Sequence, residues 1–580
     1  MFSFDEYIHD DNRIISILCK YRAKIADKRH KRNIFDELFP DAPDRDIITE
    51  EIESLMPPRR QWVSLNKKYR YKTSTHGSKQ PISTQDSNIL RLKITIDKAL
   101  KGGSQDMWVV KLKGFIEKVQ TLALDPHYTI KSPITIPIPK NKIELDPALK
   151  TECRPISKFE SLLDRVILTL ANKYLTSALD PYFDTESLAF RGKRHYHGKN
   201  SYNTTHHDAI DRITEYRSKH SKRHIYVAEC DMQKFYDSVS HSIIRREFKK
   251  IITKFQKDNS SINLDAITNI FYKYLECYTF YENVFTLNSN QEFWNKHHIQ
   301  NGQFGWIDNE LIDKRLCAST KYLSRAKIGI PQGGALSGLI ANIVLNIADQ
   351  KVRKTGNGCY LYVRYCDDMI LLHTNKYKCR TILKHYIHAL EELRLIPHTM
   401  EHSLPFRTSQ FWKIKSKYVY RWGAGGSDWI GFVGYEIKRS GEIRIRKRSI
   451  EKEKNKIKST VNDIYNKLHN ARRGSNSSIM NSIQHKLISM AIGRVSLWNF
   501  QTINNELCWI NGFNKLNENQ YVSMQIRDLD RVRLNAIRAL DKHLRDHQAL
   551  EIVPRDKRGT HITYYGRPFS YHYHYVKNIK

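Results

Sequence analysis

The chain has few of the features that place a protein in a membrane or in an oxidising compartment. Its nine cysteines are scattered over 580 residues without a Cys-x2-Cys pair, which argues against a disulfide framework and against a cysteine-based zinc ribbon. No long apolar run is present. The first residues, Met1–Glu6, carry acidic side chains and lack the apolar core of an export signal. These absences favour a cytoplasmic protein that does not enter a membrane.

Acidic residues are also scarce relative to basic ones. The chain has 96 Lys and Arg against 61 Asp and Glu, a formal net charge of +35. Basic side chains neutralise phosphates and release counterions, so this excess predicts a polyanionic partner such as nucleic acid. With 40% hydrophobic and 11% aromatic residues the composition is globular. The length allows about three or four domains.

Two adjacent aspartates, Asp367 and Asp368, interrupt the apolar run Tyr360–Leu372. The β-branched and aromatic residues on both sides predict a strand, a tight turn and a returning strand. Taken alone, a solvated turn in a surface hairpin is the simpler interpretation. Away from water, however, paired carboxylates need a counter-charge, so a cation site is the alternative.

Two further segments precede this acid pair. Asp231 ends a short β-prone run and is followed by Phe235 and Tyr236. The stretch Gly329–Asn342 is a Gly/Pro turn that leads into a helical pattern. This order of acid strand, glycine loop with helix, and acid-acid hairpin resembles motifs A, B and C of the reverse transcriptase palm.

The resemblance continues on both sides of these motifs. It covers about residues 130 to 450, with a weaker helical similarity to about 550. The segments concerned resemble the fingers, the template-side segment, the primer-grip hairpin and the entry to the thumb: Ile136–Lys140 with Arg154–Ser157, Ser187–Gly192, Gly431–Tyr435 and Gly441–Lys447.

The resemblance implies an α+β right-hand polymerase with an N-terminal extension and a helical C-terminal region. The expected divisions are an extension at 1–130, fingers at 131–226, a palm at 227–435 with an insertion at about 245–325, a thumb at 436–550 and a tail at 551–580. The extension is either an arm that holds RNA or a partner, or a cap packed on the fingers. The aromatic residues of the insertion favour a core role, and the aromatic, basic tail is either a contact for single-stranded RNA or an edge strand.

The resemblance also implies a two-metal site. Asp231 and Asp367 would bridge two Mg²⁺ ions, with Mn²⁺ as a substitute, while Asp368 assists and Met232 contributes beside Asp231. An oxygen ligand set of this kind suits hard cations. Around the metals, the resemblance assigns dNTP binding to Lys140, Arg154, Tyr236, Gln332 and Gly333, with Tyr236 excluding a 2′-hydroxyl. It assigns template or primer binding to Phe190, Arg191, Gly434, Tyr435, Arg444 and Arg446.

Two positions depart from the family pattern. Gly338 stands where a proline usually follows the serine of motif B. The lysine that usually follows motif C is missing from Leu395–Ser403, where only histidines stand, and His402 is either a proton donor to pyrophosphate or a structural histidine.

Among reverse transcriptases, the chain is most similar to the bacterial defence-associated and abortive-infection enzymes. That similarity implies an RNA-directed DNA polymerase that uses dNTPs, copies a non-coding RNA into DNA and acts against phage. A template-independent or protein-primed DNA polymerase remains open, as do a group II intron maturase-like RNA-binding protein and a scaffold without polymerase activity. Whether the chain binds a second copy of itself or a second protein also stays open.

Overall fold

The computed structural model describes most of the chain. The described residues are 2–30, 47–66, 69, 71–73, 79–82, 84–140, 150–192, 194–196, 200–202, 204–306, 324–402, 405–406, 408–470, 476–492, 512–546, 558, 570 and 573–574. They fall into two compact units. The first comprises Met1–Arg22, Ile47–Val63 and Ile89–Glu442, and the second comprises Ala23–Asp46, Ser64–Asn88 and Ile443–Lys580.

Helices make up much of both units. In chain order they are α1 (Phe4–Ile8), α2 (Asp11–His30), α3 (Ile47–Leu55), α4 (Thr84–Lys101), α5 (Met107–Leu124), α6 (Leu162–Leu179), α7 (His206–Lys219), α8 (Phe235–Ser238), α9 (His241–Asp258), α10 (Asp265–Glu276), α11 (Phe280–Asn283), α12 (Gln291–Lys296), α13 (Ser337–Thr355), α14 (Lys376–Glu392), α15 (Ser409–Lys413), α16 (Lys447–Asn470), α17 (Asn476–Ile492) and α18 (Gln520–Asp546). Within the described ranges, none of them is long and apolar enough to cross a membrane.

The strands are short. In chain order they are β1 (Tyr71–Thr73), β2 (Lys79–Pro81), β3 (Ile134–Pro139), β4 (Thr151–Lys158), β5 (Arg194–Tyr196), β6 (Asn200–Tyr202), β7 (Ile225–Cys230), β8 (Gly302–Phe304), β9 (Tyr360–Tyr365), β10 (Asp368–His373), β11 (Lys417–Trp422), β12 (Trp429–Phe432), β13 (Tyr435–Lys438) and β14 (Ile443–Ile445). Helices and antiparallel strands together confirm the α+β class.

A four-stranded antiparallel sheet lies at the centre of the first unit, in the order β11-β7-β10-β9. Met369–Leu372 of β10 are fully buried. The helices α13 and α14 pack together, and α14 also packs on β7 and β10. Because β7 and β10 are the two inner strands, the segments that carry Asp231 and Asp368 are held on both sides.

A second sheet of the first unit contains the segments that resemble the fingers. Strands β3 and β4 form an antiparallel hairpin, and β8 joins β4 in parallel. The residues from α11 to β8 build a small core of their own that includes Phe280, Trp294 and Phe304. Phe271, Tyr274 and Tyr278 are buried as well. The aromatic residues of the predicted insertion are therefore core residues, as their helical spacing indicates.

The N-terminal helices differ from the sequence interpretation in one respect. The apolar periodicity between Ile89 and Ala123 predicts one helix, whereas the structure has α4 and α5. The break falls at Gly102 and Gly103, and Gly103 adopts a φ of 64°. Glycine takes this left-handed conformation without the clash that a Cβ would cause, so it ends helices readily. The stretch at 72–87 is rich in Ser, Thr and Lys, a composition that predicts a loop, but it contains β2 and most of β1, which pair with each other.

The second unit contains a helical bundle of α16, α17 and α18. Its core consists of aliphatic side chains from all three helices: Ile457, Val461, Ile464, Ile479, Ile483, Leu487, Leu540 and Leu544. Strand β14 is held to this unit by Gln525, whose side-chain amide bonds both backbone groups of Ile445 at 3.1 and 2.7 Å. Nearly all of the predicted tail, 551–580, lies outside the described residues.

Candidate active site

The three predicted carboxylates lie at one end of the central sheet. Asp231 directly follows β7, Asp367 is in the two-residue turn between β9 and β10, and Asp368 begins β10. The register pairs Met369 with Cys230, so the next pair of positions places Asp368 opposite Asp231. Residues at such positions have Cβ atoms about 5 Å apart. Side chains separated by more than 130 residues in sequence are thus brought together, as the motif order predicts.

The pKa of Asp367 reflects both its burial and the neighbouring charge of Asp231. Burial, and then the negative charge of Asp231, raise the pKa of Asp367 to about 6, although Lys415 and Arg364 act in the opposite direction. A carboxylate in this position is destabilised when ionised, and a cation shared with Asp231 would relieve that cost. The residues therefore fit a hard divalent cation with oxygen ligands. Within the described residues, no three His, Cys, Asp or Glu side chains already have the spacing of a metal site.

Asp231 faces a lysine that sequence reasoning missed. Its Oδ2 atom lies 3.1 Å from Nζ of Lys415 and 3.7 Å from Nε2 of His398. The hydroxyl of Ser416 accepts a hydrogen bond from the Asp231 backbone N–H at 2.9 Å and donates to its carbonyl at 3.1 Å. Lys415 and Ser416 thus fix both the charge and the backbone of Asp231.

The lysine beside Asp231 thus lies beyond Leu395–Ser403, at 415. His402 instead packs its ring on Tyr418, with centroids 4.0 Å apart. The alternation from Lys415 into the apolar residues of β11 predicts a strand, but it does not predict which strand β11 pairs with. Since Lys417 pairs with Glu229 in the β7–β11 register, Lys415 falls beside Asp231.

A buried ion pair stands next to this contact. Lys417 Nζ lies 2.5 Å from Glu229 Oε2, and their side chains are only 3% and 8% exposed. The hydroxyl of Tyr420 donates to the other oxygen of Glu229 at 2.5 Å. Because a buried charge without its partner is strongly destabilising, this trio holds β11 against β7 two residues from Asp231.

The basic residues expected at the triphosphate lie on the β3–β4 hairpin. Arg154 is exposed, and Lys140, directly after β3, forms an ion pair with Glu152. Lys234, another residue that the sequence analysis missed, approaches the same carboxylate at 3.6 Å. Burial opposes the effect, but Lys140 and Lys234 hold the pKa of Glu152 below its ordinary value. Two ammonium groups therefore share one exposed acid that an anionic ligand could replace.

Tyr236 lies close to the turn of the acid pair. Burial raises its pKa, with further contributions from Cys366 and Asp367. The backbone carbonyl of Tyr236 accepts a hydrogen bond from Ile330 at 2.7 Å. The backbone of Tyr236 is thus tied to the start of the glycine loop, and the role of its ring as a gate against the 2′-hydroxyl stays a prediction.

The glycine loop is held at several points. The side-chain Nε2 of Gln332 donates to Asp237 at 2.9 Å, and the backbone carbonyl of Gln332 accepts from the backbone N–H of Ser157 at 2.9 Å. Gly333 has a φ of 92° and no atom closer than 3.9 Å to an added Cβ. At Gly334, by contrast, an added Cβ would lie 2.0 Å from the hydroxyl of Tyr274. The loop therefore approaches α10 closely at Gly334 and leaves open space at Gly333.

The template-side segment presents Phe190 to solvent. Phe190 is 49% exposed and has a φ of 55°, an uncommon conformation for a bulky residue. Its ring lies against Gly338, where a Cβ would be only 2.5 Å from the ring. The glycine that replaces the usual proline is thus what lets the ring lie on the start of α13.

Arg191 has a different place from the one expected. Its side chain is 2% exposed, and Nε donates to Asp180 at 2.7 Å. Its remaining N–H groups donate to the backbone carbonyls of Asp180, Phe183, Asp184 and Ser187. All three nitrogens of the guanidinium donate hydrogen bonds within the protein, so a direct template contact through this side chain is not supported. Arg191 instead holds the segment that carries Phe190.

The expected primer-grip hairpin is formed by β12 and β13, with Val433 and Gly434 in its two-residue turn. Val433 has a φ of 39° and Gly434 of 93°, and a β-branched residue at positive φ is a genuine outlier. Tyr435 is buried, and its hydroxyl is 2.9 Å from His207 Nε2. Gly434 therefore lies in the turn of the hairpin, whereas the buried side chain of Tyr435 anchors β13 to His207.

Arg444 and Arg446 belong to the second unit. The guanidinium of Arg444 lies 5.5 Å from the ring centre of Tyr521. The backbone carbonyl of Arg446 accepts from Ser449 and Ile450 as α16 begins. The predicted contacts of both side chains with nucleic acid remain predictions.

Comparison with known proteins identifies the central part of the chain. Residues 138–399 match the family model described as reverse transcriptase (RNA-dependent DNA polymerase). This range includes motifs A, B and C with all three aspartates. The chain therefore contains a reverse transcriptase domain, the domain of an RNA-directed DNA polymerase.

Solved structures show only distant likenesses. Telomerase from Candida albicans in complex with the TWJ fragment of telomeric RNA has a TM-score of 0.33 and 11% identity, over 77% of this chain and 69% of that chain. Apo telomerase from Candida tropicalis has a TM-score of 0.32 and 13% identity, over 72% of this chain and 62% of that chain. No curated protein matches the chain by sequence.

Proposed function

We propose that the reverse transcriptase domain copies an RNA template into DNA by two-metal nucleotidyl transfer at Asp231, Asp367 and Asp368. The observation that carries this proposal is the register of the central sheet, which places Asp368 opposite Asp231, with Asp367 in the adjoining turn; the negative charge of Asp231 contributes, after burial, to the raised pKa of Asp367. Two neighbouring carboxylates that repel each other when both are ionised are suited to share divalent cations. When bound, such cations stabilise the charge that develops on the attacking and leaving oxygens.

The residues around the acids supply positioning. Lys140 and Lys234 share Glu152 and would exchange that carboxylate for the triphosphate of a dNTP, with Arg154 beside them on β4. Charge-assisted contacts of this kind both bind and orient a phosphate. Tyr236 would exclude a 2′-hydroxyl, and Phe190 would contact the template base on the other side of the glycine loop.

The direct test is primer extension with the Asp231→Asn, Asp367→Asn and Asp368→Asn variants. Asp97→Asn, at an exposed ion pair with Lys101, is the matched control. Each active-site variant should lose dNTP incorporation, while the control should retain it and RNA affinity should stay unchanged in all four. Incorporation at the wild-type rate by Asp231→Asn or Asp367→Asn would exclude the metal assignment.

Metal binding should be measured separately from activity. Titration of Mn²⁺ by electron paramagnetic resonance should show fewer or weaker sites in Asp231→Asn and Asp367→Asn than in Asp97→Asn. Equal Mn²⁺ binding by all three variants would show that these acids do not hold the cation.

We further propose that the enzyme acts in bacterial anti-phage defence with a non-coding RNA as template. The similarity of the sequence to the defence-associated enzymes and its net charge of +35 support this. Phage plating on cells that carry wild-type or Asp367→Asn protein tests the defence role, and sequencing of co-purifying nucleic acid tests the template. Growth of one nucleotide regardless of added RNA would instead support template-independent synthesis.

A further inference from the structure

A fully buried polar network lies behind the turn that carries Asp367. Arg364 on β9 and Asp349 on α13 have side chains with no exposed surface. Nε of Arg364 donates to Oδ1 of Asp349 at 2.8 Å, and a terminal nitrogen donates to Oδ2 at 2.6 Å. The hydroxyl of Tyr362 also donates to Oδ1, at 2.6 Å. Charges this deep are tolerated only when their hydrogen bonds are satisfied.

The second terminal nitrogen of Arg364 reaches the turn itself. It donates to the backbone carbonyl of Cys366 at 2.7 Å. Cys366 has a φ of 58°, and the following Asp367 is not among the residues with positive φ. A two-residue hairpin turn with positive φ at its first position alone is of the type that prefers glycine there. The cysteine is therefore strained, and such strain persists only where the surroundings impose it.

The same nitrogen connects the turn to the template-side segment. It lies 3.3 Å from Oδ1 of Asn342, which also accepts from the hydroxyl of Ser187 at 3.0 Å. The amide nitrogen of Asn342 donates to the carbonyls of Ala189 and Phe190 at 2.9 and 3.1 Å. One guanidinium thus contacts, directly or through Asn342, the backbone on both sides of the site.

We propose that Arg364 is a positioning residue that holds the strained Cys366–Asp367 turn so that Asp367 faces Asp231, and that ties this turn to the segment carrying Phe190. Arg364 reaches neither substrate nor cation itself. The inference rests on the proposed use of Asp367 as a metal ligand. It predicts that loss of the bond to Cys366 weakens metal binding and chemistry without a matching loss of stability.

The central variant is Arg364→Lys. Its single ammonium keeps a positive charge beside Asp349 but cannot reproduce the fork and reach Cys366 as well. We expect kcat to fall about 10²-fold, the scale of a small misplacement of a catalytic group. Mn²⁺ affinity, measured by electron paramagnetic resonance, should fall with it. Tyr362→Phe is the matched control, because it removes a bond to the same carboxylate and leaves Cys366 untouched; it should keep kcat and Mn²⁺ affinity near wild type.

A second substitution tests the strain. Glycine adopts positive φ without penalty, so adding Cys366→Gly to Arg364→Lys should restore at least a tenth of the wild-type kcat. A merely structural role for Arg364 predicts no such rescue, since the buried pair is equally disturbed in both variants. A folded double variant that stays as slow as Arg364→Lys would overturn the proposal.

Other results for the Arg364 variants also decide the question. Wild-type kcat and Mn²⁺ affinity in folded Arg364→Lys would refute the positioning role. If Arg364→Lys fails to fold, Arg364→Met with Asp349→Leu and Tyr362→Phe removes both buried charges and the hydroxyl that bonds to Asp349, a change that folded proteins tolerate. Wild-type kcat in that folded triple variant would refute the role as well, and a loss with unchanged hydrogen exchange in β9 and α13 would support it. Activity retained by Asp367→Asn would instead bring down the proposed function, whatever the Arg364 variants do.

Discussion

Replacing Lys417 by Met would leave Glu229 charged in the interior of the sheet. The side chain of Glu229 is only 8% exposed, and after the substitution the hydroxyl of Tyr420 would be its remaining partner among the three. Breaking one side of such a pair costs about 3–5 kcal/mol. At about 1.4 kcal/mol for each tenfold change, the equilibrium constant for opening this part of the sheet should rise roughly 10²- to 10⁴-fold.

Hydrogen exchange followed by mass spectrometry is the suitable assay, because a chain of several units does not unfold in one step and exchange reports local opening. Peptides that cover β7 and β11 should exchange faster in Lys417→Met. Lys101→Met removes an exposed lysine whose ion pair with Asp97 has 76% and 58% exposed side chains. That control should cost less than about 1 kcal/mol.

A triple variant decides between loss of packing and loss of charge compensation. The variant combines Glu229→Met, Lys417→Met and Tyr420→Phe. It removes all three polar groups while keeping similar side-chain volumes. Replacement of a whole buried ionic group by apolar residues is often neutral or stabilising. The triple variant should therefore exchange more slowly than Lys417→Met. If it exchanges as fast, the buried charge is not the cause, and the reasoning is refuted.

Other predictions concern the site. Tyr236→Ala should raise the incorporation of NTPs relative to dNTPs, measured as the ratio of kcat/KM; an unchanged ratio would dismiss the sugar gate. In metal-free protein the pKa of Asp367 is raised from 3.8 to about 6, so the folded state holds this proton more tightly than the unfolded state and loses stability as pH rises from about 4 to about 6. Asp367→Asn should reduce the change over that window in the free energy of opening of β9 and β10, measured by hydrogen exchange after correction for the intrinsic pH dependence. Gly334→Ala should displace the hydroxyl of Tyr274 and speed hydrogen exchange in α10, whereas Gly114→Ala, where neither a positive φ nor any atom within 4 Å opposes an added Cβ, should not.

The sequence predicts those features that depend on local pattern. The alternation on either side of Asp367 and Asp368 predicts the β9–β10 hairpin, and the apolar periodicity after Gly334 predicts α13. Both are present because strands and helices impose fixed periods on buried side chains. The order of the motifs then predicts that Asp231 meets the acid pair.

The sequence does not show which polar side chains form hydrogen bonds within the protein and are therefore not available to a ligand. Arg191 and Tyr435 have the residue types of nucleic-acid contacts, yet both side chains are buried and hydrogen-bonded within the protein. Lys415 was missed for the converse reason. Only the pairing of β11 with β7 brings it to Asp231, and strand order is a long-range property.

The contact of the Phe190 ring with Gly338 restricts which residues can occupy positions 190 and 338. A proline at 338 would collide with the ring, so it becomes acceptable only after Phe190 has moved or been replaced. The two positions should consequently change in pairs among related chains. A designer who wishes to stiffen the start of α13 must first redesign the aromatic residue above it.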